Sequence, residues 1–170
     1  MLSPTRRTFL AAAGTGLAAA SVPAPAPAAE PTPAEPFGYC LNTSTIRGQK
    51  VPLVEQIEIA ARAGYQGIEP WVSELDQYVK EGKSLKDLGQ RVRDRGLRIE
   101  DAIAFAVWIV DDDARRRKGF EETKRIMGML QEVGCKQLAA PPAGATNQPG
   151  LDLHRAAERY AELCLSLIHI

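Results

Sequence analysis

Ala63-Gly64-Tyr65-Gln66-Gly67-Ile68-Glu69-Pro70-Trp71 closes one element and opens another. Glycine takes the left-handed conformation that helix C-termini use to satisfy their last carbonyls, so Ala63-Gly64-Tyr65 reads as a helix stop. Gly67-Ile68-Glu69-Pro70-Trp71 then reads as a strand. The same phrase recurs at Arg95-Gly96-Leu97, which runs into Leu97-Arg98-Ile99 with an apolar continuation through Phe105. It recurs again at Val133-Gly134-Cys135, followed by Gln137-Leu138-Ala139-Ala140. This is the spacing of βα units.

Helical periodicity fills the intervals. A first helix places Leu53, Ile57, Ala60 and Ala61 on one face, with Pro52 where its missing N–H costs nothing. A second shares Leu85, Leu88 and Val92, and Ser84 with Asp87 gives a start resembling a capping box. A third buries Phe120, Met127, Leu130 and Val133; a fourth aligns Leu153, Ala156, Ala157, Tyr160 and Cys164 behind Asp152 as N-cap. One-sided helices alternating with short apolar strands pack on a mostly parallel sheet. An open doubly wound sheet and a closed (β/α)₈ barrel both satisfy this pattern. Four units fill the stretch from Phe37 onward, about half of the roughly 250 residues of a full barrel. Gly48 follows the first strand without a GxGxxG, so no dinucleotide turn is indicated.

Upstream, Thr5-Arg6-Arg7-Thr8-Phe9-Leu10 runs into the small-residue stretch from Ala11 to Ala20 and an Ala26-Pro27-Ala28 exit. A basic start, a short apolar middle and a small-residue exit are the parts of a cleavable export signal, here of twin-arginine type over 1–29. The apolar middle is too short to span a bilayer, which takes about 20 apolar residues. The expectation is handling by the twin-arginine export machinery and a periplasmic or secreted mature protein. Residues 30–36 continue a proline-rich run that reads as an extended tether. Residues 37–164 form the partial barrel. At the other end, Leu165-Ser166-Leu167-Ile168-His169-Ile170 is what CTG TCT CTT ATA CAC ATC encodes, the end of a transposase sequencing adapter. The stretch 165–170 is therefore expected to be a non-native tail, and His169 carries no functional weight.

Lys and Arg total 21, as do Asp and Glu; removing Arg6 and Arg7 with the leader leaves 19 against 21, a net charge of −2. Nucleic-acid binding rests on cations that neutralise phosphates, and no basic stripe appears, so no nucleic-acid partner is expected. Cys40, Cys135 and Cys164 form no CxxC pair and sit among apolar neighbours, so they read as core.

In a barrel, chemistry sits at the C-terminal ends of the strands and in the loops after them. Asn42, Thr43 and Ser44 follow the first strand, Glu69 and Trp71 the second, and Phe105, Trp108 and Asp111-Asp112-Asp113 the third. Pro141, Pro142 and Asn147 follow the fourth. Asn42, Glu69, Trp71, Phe105 and Trp108 are the substrate-pocket candidates: aromatic faces and hydrogen-bonding groups suit a small sugar or polyol. Core capping is the structural alternative for Trp71 and Trp108, a solvated strand end for Glu69, and the negative start of a helix for the aspartates. His154 reads as solvent-facing. No HExxH, GxSxG or Walker loop occurs.

Gly64-Tyr65-Gln66-Gly67-Ile68-Glu69-Pro70-Trp71 resembles the second strand of sugar phosphate isomerases and epimerases with the xylose isomerase-like barrel. Gly96-Leu97-Arg98-Ile99 through Ala106 and Ala139-Ala140-Pro141-Pro142-Ala143-Gly144 are similar to the third- and fourth-strand blocks of the same group. The resemblance implies the fold class: α/β, the N-terminal half (about four βα units) of a (β/α)₈ TIM barrel. It also implies a divalent metal ion held by Glu, Asp, His and Glu on later strands, beyond Cys164, which would leave this chain inactive alone. A carbohydrate-binding barrel without turnover, or an abasic-site endonuclease, is the alternative on the same fold.

Overall fold

The computed structural model describes residues 36–167. The expected leader over 1–29, nearly all of the tether over 30–36, and residues 168–170 of the expected tail lie outside the described residues. Three parallel strands, β1 (Cys40–Asn42), β2 (Gly67–Glu69) and β3 (Arg98–Ile99), pair in the order β1-β2-β3. Leu41 is in register with Ile68, and Ile68 with Ile99. The helices are α1 (Leu53–Arg62), α2 (Val72–Lys80), α3 (Leu85–Asp94), α4 (Asp113–Val133) and α5 (Leu153–Leu167).

The strand order decides between the two parallel architectures. A doubly wound sheet reverses direction at a switch point. Here each strand pairs with its predecessor in the chain, and the progression continues through bridges from Trp71 to Ile103 and from Ile103 to Ala139. Right-handed crossovers stepping always the same way place every helix on one face. The result is part of a TIM barrel, as the resemblance implied.

The third and fourth strands are shorter than the apolar runs suggested. Asp101 sits at the break: its Oδ1 accepts from the Ala102 N–H at 2.7 Å and shares the Ala139 N–H, at 3.0 Å, with the ladder. Pairing resumes where Ala139 N–H donates to the Ala102 carbonyl and Ala104 N–H to the Ala139 carbonyl.

The glycine marks hold. Gly64, Gly96 and Gly134 all have positive φ, and Gly134 closes α4 by donating to the Leu130 and Gln131 carbonyls. Ser84 caps α3 by accepting from Asp87 N–H, as expected. The sequence reading passed over α2. Val72 and Leu75 are its buried positions, and Glu74 at its third residue accepts from the Trp71 N–H at 3.0 Å, one half of a capping box.

Ile57, Ile68, Leu75, Leu88, Leu130 and Val133 are fully buried between sheet and helices. Each such side chain contributes about 1.5–3 kcal/mol of burial free energy. A second, smaller cluster joins Trp108, Ile109, Val110, Phe120, Ala156 and Leu163. It shows where the expected face of the last helix was mistaken: Leu153 and Tyr160 are 77% and 51% exposed, Cys164 is exposed, and α5 buries Ala156, Arg159 and Leu163. Arg159 turns the helix, because its guanidinium donates to the Ile109 carbonyl at 2.6 Å and to Asp111 Oδ1 at 2.5 Å. A paired charge can be buried where an unpaired one cannot. The cysteine reading is corrected too: Cys135 is core, whereas Cys40, at the first position of β1, and Cys164 are exposed.

Candidate functional site

Asn42 and Glu69 are register partners at the last positions of β1 and β2, so the ladder itself brings them side by side. Trp71 follows two residues later as the N-cap of α2. Its indole Nε1–H donates to Asn42 Oδ1 at 3.2 Å, and Ser44 N–H donates to the same oxygen at 2.9 Å. Asn42 is thus held by its own loop and in turn orients the indole. The Phe105 ring packs against Trp71 with centroids 5.5 Å apart and planes tilted by 46°, a geometry aromatic pairs favour. Phe105 remains 53% exposed. Four of the five sequence-derived candidates, Asn42, Glu69, Trp71 and Phe105, therefore gather at the C-terminal end of the sheet.

Trp108 does not join them. It is 5% exposed, its Nε1–H lies 3.2 Å from the Ala140 carbonyl and 3.1 Å from the Pro141 carbonyl, and its ring contacts Tyr160. It ties the loop after β3 to the loop before α5. The aspartates divide in function. Asp112 caps α4 by accepting from Arg115 N–H at 2.9 Å, Asp113 pairs with Arg116, and Asp111 pairs with Arg159 and Gln148. Hydrogen bonding from Arg159 holds the Asp111 carboxyl below the usual carboxylate range, and the backbone N–H of Arg115 does the same for Asp112. His154 is exposed, as expected.

Thr43, which the sequence reading placed among the residues after the first strand, and Glu74, which it passed over, fix the Trp71 backbone. Thr43 is 1% exposed; its hydroxyl donates to Glu74 Oε2 and accepts from Trp71 N–H at 3.3 Å. Glu74 Oε1 accepts from Gln56 Nε2 at 2.8 Å. One carboxylate therefore fastens the residue after β1, α1 and the start of α2 to one another. The available signal was Glu74 three residues after Trp71, a spacing that marks a helix start.

Cys40 lies on the same sheet, and a Cβ built on Gly67 would come 3.3 Å from its sulfur and 2.5 Å from Glu100 Cγ. Burial of the sulfur, followed by the charges of Glu69, Glu100 and Asp101, pushes the thiol up to about 11. These carboxylates do not make a metal centre. Among the described residues, no group of three or more His, Cys, Asp or Glu could hold a metal ion, so the described residues do not fit the divalent ion that the resemblance implies.

Comparison with known proteins agrees with the geometry at the level of fold. No curated protein matches the chain. Among solved structures it is similar to the IOLI protein with a bound zinc atom, at TM-score 0.69 and 21% identity over 78% of this chain and 48% of that one. It is also similar to the probable 3-DHS dehydratase AsbF of Bacillus anthracis, at TM-score 0.64 and 18% identity over 78% and 49%. A D-psicose 3-epimerase with D-tagatose from Clostridium cellulolyticum H10 follows at TM-score 0.63 and 14% identity over 77% and 48%. The chain spans about half the length of each of these structures. Residues 57–167 match the family described as Xylose isomerase-like TIM barrel, and with its strands in unbroken sequential order and its polar and aromatic groups at their C-terminal ends, the chain belongs to that family.

Proposed function

We propose that this chain is part of an exported, metal-dependent isomerase or epimerase acting on a sugar or polyol. The observation that carries the reading is the assembly of Asn42, Glu69, Trp71 and Phe105 at one end of the parallel sheet. Flat aromatic faces stack on sugar rings, while an oriented carboxamide and a carboxylate hydrogen-bond hydroxyl groups. Epimerases and a dehydratase among the similar structures fit that use of the barrel. The metal would be held by strands beyond those described, and the chain alone would be inactive. The twin-arginine leader supports an exported protein, as Arg6-Arg7 and the small-residue stretch after them suggest.

The test uses the complete gene. The full-length protein, supplied with manganese, cobalt or zinc, is expected to interconvert epimeric ketoses or keto-sugars, and Glu69→Gln and Trp71→Ala are each expected to raise KM by about tenfold. Sugar binding without turnover under every metal would replace the enzyme with a carbohydrate-binding barrel. A protein lacking Glu, Asp and His at the ends of its later strands would do the same.

A further inference from the structure

The third strand and the chain that follows α4 part at their N-terminal ends. β3 is the last strand of the sheet, and the fourth apolar run joins the progression only further along, through the bridge from Ile103 to Ala139. A cleft of about 280 Å³ is lined by residues from both sides of this gap, among them Ile99 of β3 and Lys136 after α4, together with Val92 and Arg93 of α3 and Val133 of α4. It lies where the strands begin, the end opposite the candidate site. None of Asn42, Glu69, Trp71 and Phe105 lines it.

The backbone of β3 is unpaired along the gap. Arg98 and Glu100 N–H donate to the Gln66 and Ile68 carbonyls at 3.0 and 3.2 Å, so both point to β2. Neighbouring residues of a strand direct their N–H and C=O groups to opposite sides, and Ile99 therefore turns its pair away from β2. Neither group has a hydrogen-bond partner among the described residues, although Ile99 is half-buried. Backbone groups withdrawn from water are almost always paired.

The charges at the cleft are unequally committed. Arg98 is spent on Glu100, to which its Nε and Nη2 both donate at 2.8 Å. Arg93 donates to the Gln90 carboxamide at 2.9 Å, and neither Arg93 nor Lys136 has a carboxylate partner among the described residues. Gly134, in the left-handed conformation, leaves room for the guanidinium: a Cβ built there would come 3.1 Å from Arg93 Nη1. Two uncommitted cations and an open backbone pair thus share one cleft with the apolar side chains of Val92, Leu97 and Val133.

We infer that this cleft binds an amide-bearing carboxylate with an apolar side chain, the chemistry shared by a peptide C-terminus and an N-acylated amino acid. The ligand amide N–H donates to the Ile99 carbonyl, as the N–H of an added strand would. Its carboxylate accepts from the Ile99 N–H and from Arg93 and Lys136. The volume is close to the lower end of ligand sites, roughly 300 Å³. The cleft shares no residue with the candidate site, so the inference does not rest on the isomerase reading.

Amide-resolved NMR titration of the full chain tests it. N-acetylleucine is expected to bind and to shift the Ile99 amide while the Trp71 indole signal stays in place. N-acetylleucinamide, which lacks the charge, and isocaproate, which lacks the amide, are each expected to bind about tenfold more weakly. Alanyl-alanyl-leucine distinguishes the sources: affinity at or above that of N-acetylleucine assigns a peptide C-terminus, and a lower one assigns the acylated amino acid. Arg93→Gln/Lys136→Gln, at two exposed side chains, is expected to reduce N-acetylleucine to the level of its amide, with circular dichroism confirming the fold. The probe series on the unaltered chain stands whatever the stability of that variant. Absence of binding, equal binding of the charged and neutral probes, a folded double variant with unchanged affinity, or shifts at the Trp71 indole in place of Ile99 would each overturn the proposal.

Discussion

The Gln56 carboxamide donates to Glu74 Oε1 at 2.8 Å, fastening α1 to the first turn of α2, where Trp71 is the N-cap. The second carboxylate oxygen takes the Trp71 N–H at 3.0 Å and the Thr43 hydroxyl. The platform of the candidate site is therefore positioned by residues that do not belong to it. Its geometry depends on a carboxylate shared by three elements.

Glu74→Gln puts an amide N–H₂ where an acceptor is needed and removes at least one of the three hydrogen bonds from Gln56, Trp71 and Thr43, which then keep only the Val51 carbonyl, the Thr43 hydroxyl oxygen and the Glu69 carbonyl as acceptors. A hydrogen bond to a charged group contributes about 1.5–3 kcal/mol, so the urea midpoint is expected to fall accordingly. Thr43→Val is expected to act in the same direction. Midpoints equal to that of the unaltered chain for both variants would show that the network does not hold the strand ends.

Glycines in α3 and α4 give opposite expectations for the same substitution. Gly89→Ala would place a methyl 2.1 Å from the Val133 carbonyl oxygen, and Gly119→Ala 2.2 Å from that of Val107. Alanine gains about 1 kcal/mol of helix propensity over glycine, but backbone cannot retreat as a flexible side chain can, and overpacking costs about 1–3 kcal/mol or more. Both variants are expected to be destabilised. Gly128→Ala, with open space at the same position, is expected to gain up to about 1 kcal/mol. Thermal midpoints of the three variants decide it.

Arg159→Leu removes the donor to the Ile109 carbonyl and is expected to cost about 1–3 kcal/mol through that buried acceptor. Arg159 also holds the Asp111 carboxyl low, so the unfolded chain binds the Asp111 proton at a higher pH than the folded one. That contribution is complete above the ordinary carboxylate value of about 4 and is lost as pH falls through the lowered folded value. Stability of the variant is thus expected to decline less steeply below about pH 4. An identical acid limb in both proteins would contradict the role of the pair.

The cysteines separate by reactivity. Cys135 is buried and is expected to resist alkylation until urea opens the core. Cys40 is exposed, but with its thiol pushed up to about 11 it is expected to alkylate roughly tenfold more slowly at pH 8 than free N-acetylcysteine. The gap is expected to narrow towards pH 10. Peptide mapping after timed iodoacetamide treatment measures all three sites, and a Cys40 rate matching the free thiol would refute the assignment.

Local signals proved sufficient wherever the physics is local. Gly64, Gly96 and Gly134 announced helix ends because only glycine accepts that conformation cheaply, and Ser84 announced a start because its hydroxyl reaches the N–H three residues on. Hydrophobic period placed α1, α3 and α4. It misplaced the face of α5, where Arg159 is buried only because Ile109 and Asp111, some fifty residues earlier, receive its hydrogen bonds. It passed over α2, whose nine residues carry only two buried positions.

The sequence by itself determined that this chain alternates strands with one-sided helices, and its glycine-marked strand blocks pointed to the barrel family. Short-range period encodes the first, and the second rests on the resemblance of those blocks to the family's strands. Only the tertiary structure decided that strands add in one direction, that Trp71 and Phe105 share a platform while Trp108 is core, and that Glu74 supports it. Those outcomes depend on which distant donors meet which acceptors, and no short-range pattern in the chain records such pairings.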